Sequence, residues 1–287
     1  MNTVSQTVKI CAYGLAYFLA FTIIASIVAT VVAILSVVGI VNGSAKQSPI
    51  DCDGYEKCLS ISLGFSELEI TSGQELSAKA EDSKVEINQD GNKLVIKDTK
   101  KGLFSRGSDR KITVTVPDDM VFDVVGIGNK GGKVSVEKLA ADEVYLNLGA
   151  GEVVFGYLDA TERAKIDAGV GKLAIKDGGI KDGDIHLGIG EASIASALTG
   201  YSKVDAGIGA VNLDLLLPGS EYTVKAHKGI GRIRFDYSEV SDGSVIGSGK
   251  NYVEVDGGIG QIEINTAEEA PIKIEAKPEK IEAEVNE

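Results

Sequence analysis

One phrase, an apolar residue between two glycines at the end of an alternating apolar-polar run, occurs seven times along this chain. It stands at Gly126-Ile127-Gly128, Gly149-Ala150-Gly151, Gly169-Val170-Gly171, Gly188-Ile189-Gly190, Gly207-Ile208-Gly209, Gly229-Ile230-Gly231 and Gly258-Ile259-Gly260. A unit of roughly 20 residues cannot bury a hydrophobic face alone, so each copy has to stack on its neighbours. The repeat therefore predicts a solenoid.

The unit is strand rather than helix, because apolar residues alternate with period two on both sides of the glycines. Around Ile208 the residues on one side are Val204, Ala206 and Ile208, after which Val211 and Leu213 take over with the parity changed. The same shift follows Ala150, Val170, Ile189, Ile230 and Ile259. A one-residue slip would turn every side chain to the other face unless the backbone bends, so the second glycine is expected at a corner or bulge. In the first copy Lys130 stands where an apolar residue should be, and the apolar pair resumes at Val134 and Val136. An Asn129-Lys130-Gly131-Gly132 insertion forming a protruding turn accounts for this. The pattern predicts an all-β, single-chain parallel β-helix in which Ala150, Val170, Ile189, Ile208, Ile230 and Ile259 form one core column. Right-handed winding is expected, since parallel crossovers favour that hand.

The chain has 287 residues and a net charge of −13, which argues against nucleic acid as a partner. Residues 10–41 form an almost unbroken apolar run without a charged side chain, longer than the roughly 20 residues that span a bilayer as helix. A retained transmembrane helix is the favoured reading; a cleaved signal peptide, whose apolar core is about 7–15 residues, is the alternative. The expected organisation is a short tail (1–9), the membrane helix (10–41), a linker (42–58), the solenoid (59–265) and an acidic tail (266–287). Cys52 and Cys58 flank a short Asp-Gly stretch in the linker, where either a disulfide in an oxidising exterior or two free thiols would fit. The preferred topology places the C-terminal domain outside the cell membrane.

The segment Lys100-Lys101-Gly102-Leu103-Phe104-Ser105-Arg106, followed by Ile112-Thr113-Val114-Thr115-Val116-Pro117 and then glycine-bearing strand repeats, resembles the putative adhesin family, number 4097 among domains of unknown function. The resemblance covers about residues 59–265. It implies a membrane-tethered envelope protein with a single-chain β-helix, and it brings no catalytic residues.

Three residues before each central residue lies an outward position that reads Asn147, Asp167, His186, Asp205, His227 and Asp256 down the stack. At a rung spacing of about 4.8 Å such a ladder could hold a divalent cation, against the simpler reading of a solvated polar face. Two positions after each central residue the order Glu152, Lys172, Glu191, Ala210, Arg232, Gln261 suggests charge pairing that specifies register. Lys100, Lys101 and Arg106 around Leu103-Phe104 form a candidate interaction loop for lipid headgroups, an anionic envelope polymer or a protein; a plain hairpin loop is the alternative. The glycines do not read as a nucleotide site, because a strand follows each of them where a phosphate loop needs a helix. No cofactor is expected. Together these features point to a membrane-anchored, non-catalytic protein presenting a binding or adhesion surface. An accessory sensor with a membrane-protein partner is the second reading, and a polysaccharide-active enzyme the weakest.

Overall fold

The computed structural model describes residues 50–98 and 110–268. The expected membrane helix, the Lys100–Arg106 loop and most of the acidic tail lie outside them. Among the described residues no helix is long and apolar enough to cross a membrane.

The described chain is all strand apart from turns and one short 3-10 segment, Gly219–Glu221. In chain order the strands are β1 (Cys58–Phe65), β2 (Glu67–Gly73), β3 (Ser77–Ala80), β4 (Val85–Asp90), β5 (Lys93–Asp98), β6 (Lys111–Pro117), β7 (Phe122–Ile175), β8 (Gly178–Lys181), β9 (Gly183–Thr199) and β10 (Tyr201–Pro218). They continue as β11 (Tyr222–His227), β12 (Ile230–Phe235), β13 (Ser238–Glu239), β14 (Ser244–Gly247), β15 (Asn251–Asp256) and β16 (Ile259–Ala267). Each coil has a first arm leading into the glycine corner and a second arm leaving it. Arms pair with the equivalent arms of adjacent coils in parallel register, as in Ile189 with Ile208 and Ile194 with Leu213. That is the stacked solenoid the period-two repeat predicts.

The stack does not follow sequence order at its ends. β15 and β16 slot between β10 and the β11–β12 coil, so that Ile208 pairs with Ile259 and Ile259 with Ile230. At the other end β1 lies between β5 and β7, and β2 between β6 and β7. The outermost coils are covered by antiparallel strands, β4 on β5 and β3 on β6 at one end, β14 on β11 and β13 on β12 at the other. A bare terminal coil would present unpaired N–H and C=O groups to other chains, and these antiparallel strands blunt both edges. Both chain ends of the solenoid thereby leave from coils that are paired on two sides.

The core lies between the arms and is one continuous cluster, mostly Leu, Ile, Val and Ala, with Phe122, Phe155 and Tyr222. Ile166, Ile185 and Val204 stack in the first arm, and Phe155, Ile175, Ile194 and Leu213 in the second, all buried. Full burial of each such side chain is worth about 1.5–3 kcal/mol. The linker contributes as well: Cys52 and Cys58 form a disulfide. The Asp123 carboxylate accepts the backbone N–H groups of Glu56 and Lys57 at 2.7 and 2.9 Å. Ile50 packs over Gly126, where any Cβ would collide with it.

Two sequence expectations need correction. Gly126-Ile127-Gly128 lies inside an arm, with Ile127 buried and paired to Ile61. The corner of that coil is Lys130-Gly131-Gly132: a Cβ at Gly149 would strike the Lys130 carbonyl, and one at Gly151 the Gly132 carbonyl. Residues 129–132 are therefore the corner itself and no protruding insertion. The second correction concerns the central residues of the six later phrases, which, unlike Ile127, do not enter the core.

Candidate functional site

The corner is built by the second glycine. Gly209 has φ 142°, and its counterparts Gly151, Gly171, Gly190, Gly231 and Gly260 fall between 133° and 151°. Side-chain-bearing residues rarely reach this region. A Cβ at Gly209 would also overlap the Gly190 carbonyl oxygen of the coil beneath. Backbone thus stacks directly on backbone at the corner.

This bend leaves the central residue at the surface. Ile208, Ile259 and Ile230, consecutive in the stack, are 38%, 49% and 73% exposed, and Ala150, Val170 and Ile189 are half-buried. The expected core column is instead the apolar stripe of a groove that runs along the stack, with an empty volume of about 760 Å³ including its open mouth. Its walls come from the residues two before and three after each central residue. Ala168 accompanies Leu173 and Leu187 accompanies Ala192, so a small residue on one wall meets a larger one on the other. At the coil of Ile208 both are modest, Ala206 and Val211.

Beside one end of the groove stands a residue that the glycine pattern does not flag. Phe65 pairs with Gly131 and lays its ring where a Gly131 Cβ would be. The signal was present: Leu59, Ile61, Leu63 and Phe65 alternate, and the parity then shifts to Leu68 and Ile70 without flanking glycine pairs. The other end is open, because β13 covers only Arg234 and Phe235 of β12. Lys228 and Arg232 stand there. Along that rim Lys172 pairs with Glu191, Glu191 with Ala210, Ala210 with Gln261 and Gln261 with Arg232. The altered stacking order thus puts neutral side chains between Arg232 and the last acid. Lys228 shares Glu239 at 3.4 Å, while Arg232 has no ion pair among the described residues.

The Asp/His ladder forms on the outer face of the first arms, in the order Asp167, His186, Asp205, Asp256, His227. His186 contacts Asp205 at 2.9 Å through Nδ1 and Asp184 at 3.0 Å through Nε2. Lys203 bridges Asp205 at 2.9 Å and Asp256 at 3.0 Å, and these two hydrogen bonds push its ammonium above its ordinary value. Glu254 accepts hydrogen bonds from the Tyr201 hydroxyl at 2.6 Å and from Lys225 at 3.1 Å, which hold its carboxyl below the usual range. Tyr201 in turn stacks on Tyr252 with ring centroids 5.4 Å apart. His227, Glu254 and Asp256 approach closely enough to share a cation. The carboxylates of Asp256 and Glu254 are, however, already met by Lys203 and Lys225. The ladder is a register-specifying network first.

A family model matches residues 56–239, well over half of the chain. The chain belongs to the Toastrack DUF4097 family. The Toastrack match ends at β13, so the inserted coil formed by β15 and β16 lies beyond it although it stacks within the matched region. Two solved structures are similar. One is described as a putative cell adhesion protein from Clostridium sporogenes, with 16% identity over 77% of this chain and 97% of that one and a TM-score of 0.32. The other is described as a putative adhesin from Bacteroides fragilis, with 14% identity over 71% and 90% and a TM-score of 0.43. No curated protein matches the chain.

Of the residues singled out in the sequence, the structure brings together the ladder and the cysteine pair. Lys100, Lys101, Leu103, Phe104 and Arg106 lie outside the described residues. Asp98 and Arg110 on either side of that segment meet at 2.9 Å at the edge of the outermost coil.

Proposed function

We propose that this Toastrack protein is a membrane-anchored, non-catalytic envelope protein whose rigid solenoid presents the corner groove as a binding surface. One observation carries the reading: Ile208, Ile259 and Ile230 stand side by side in solvent on a scaffold that buries its other isoleucine columns. Contiguous exposed apolar stripes on water-soluble domains mark interaction sites. The uncharged run at residues 10–41 supports an anchor, and the Cys52–Cys58 disulfide supports an oxidising, external setting for the domain. The test is photocrosslinking in intact cells with benzoylphenylalanine placed at position 208 or 230 in the groove, or at 167 on the outer face. Adducts from the groove positions and none from 167 are expected. Adducts from 167 alone would contradict the reading.

A further inference from the structure

We propose that the groove binds a single-chain anionic amphiphile, a free long-chain carboxylate, with the hydrocarbon along the apolar stripe and the head at Arg232 and Lys228. The inference rests on the groove being the binding surface and adds what it binds.

The hydrogen-bonding state of the floor argues for hydrocarbon over peptide. The groove runs across the strands, and the corner backbone is committed coil to coil, with Ile189 registered on Ile208, Ile208 on Ile259 and Ile259 on Ile230. A peptide laid along this axis would surrender its own N–H and C=O partners without replacement, at a cost of about 1–3 kcal/mol for each buried group. An alkyl chain has no such groups to lose. A second copy of the chain is also a poor occupant, since a two-fold contact needs a self-complementary surface and two concave grooves do not fill each other.

The groove is one chain wide and longer than one chain. Six coil spacings separate Gly131 from Ile230, about 29 Å at strand spacing. An acyl chain reaches about 15 Å, half of a bilayer's hydrocarbon core. The apolar stripe is one residue wide between two columns of glycine, so the second chain of a phospholipid would remain in water.

Charge selects the head and its direction. Phe65 stands beside one end, and the open end holds Lys228 and Arg232. Arg232 faces only Gln261 on the coil beside it. A carboxylate placed there would meet a guanidinium that has no ion pair among the described residues, in the fork geometry that pairs best with it.

The test uses the full-length protein in its native membranes and a photoactivatable palmitate carrying a diazirine near the chain end. Digestion and mass spectrometry should place adducts on the groove stripe and walls, between residues 148 and 262, competed by unlabelled palmitate. Arg232→Glu should lower labelling by the carboxylate probe about tenfold, while labelling by the matching photoactivatable alcohol changes less than about twofold. Ile208→Trp, which fills the groove two coils from Ile230 and within the chain's reach, should abolish labelling by both. Labelling outside the groove, or labelling indifferent to Arg232→Glu and Ile208→Trp, would overturn the proposal. If benzoylphenylalanine at position 208 captures a polypeptide or a two-chain phospholipid while the palmitate probe leaves no adduct, the groove reading stands and the carboxylate inference falls. If neither probe labels the groove, both fall.

Discussion

Ile194 and Ile230 are the same residue type on the same solenoid, yet the first is fully buried and the second 73% exposed. Ile194 sits in an arm between Ile175 and Leu213, where opposing arms close over it. Ile230 sits at a corner where the glycines bring backbone against backbone, and no second layer among the described residues covers it. Hydrophobicity alone therefore does not assign a residue to the core here; its distance from the glycine corner does. The arms hold the fold together, and the corner turns the same side chains into a surface.

The comparison can be broken most forcefully in the arm. Ile194→Asp buries an unpaired carboxylate among apolar neighbours and should cost more than about 4 kcal/mol, or prevent folding, in chemical denaturation. Next in size is Gly209→Ala, which meets both a disfavoured φ and the Gly190 carbonyl; a loss of about 2–4 kcal/mol is expected. Gly243→Ala is its control. Gly243 also has positive φ, at 71°, but open space around it, so the cost should be only about 1–2 kcal/mol. Equal losses at the two glycines would remove the stacking argument.

Reducing the Cys52–Cys58 bridge, which closes a short loop, should lower stability by about 2 kcal/mol and leave the stripe's exposure unchanged. Ile208→Asp should cost under about 1 kcal/mol, because its carboxylate can reach water from the groove. A loss of several kcal/mol would restore the buried-column reading.

The smallest effect belongs to the outer ladder. Glu254 is held below its ordinary carboxyl value by Tyr201 and Lys225. Its stabilising contribution is present above the unfolded value and is lost as pH falls through the folded one. Stability should thus decline somewhat less steeply below about pH 4.5 in Glu254→Gln than in the parent. Identical acid limbs in the two proteins would show that the contact contributes nothing.

Much of the fold was legible in the residues, because a period-two alternation with a parity shift every 20 or so residues admits few structures other than stacked coils. The polar ladder followed from the same parity, and Asp167, His186 and Asp205 do lie on one outer face. The sense of the bend was not legible. Parity says which side chains share a side of a strand, but not whether a corner encloses them or opens them to water. Nor was the stacking order, since coils carrying Ile230 and Ile259 present nearly identical edges and either can follow Ile208. Phe65 escaped notice because it performs the corner shift between Gly64 and Ser66, without the paired glycines.

The central claim, that the central residues of the six later phrases form a surface while the arm residues form the core, is tested most directly by thiol accessibility. In a background with Cys11, the chain's third cysteine beside Cys52 and Cys58, replaced, single substitutions Ile208→Cys, Ile259→Cys and Ile230→Cys would be compared with Ile194→Cys and Ile264→Cys for reaction with a maleimide in the native protein. The three groove thiols should react within minutes, fastest at position 230, and the two arm thiols only after unfolding. Protection at 208, 259 and 230 matching that at 194 and 264 would contradict the account.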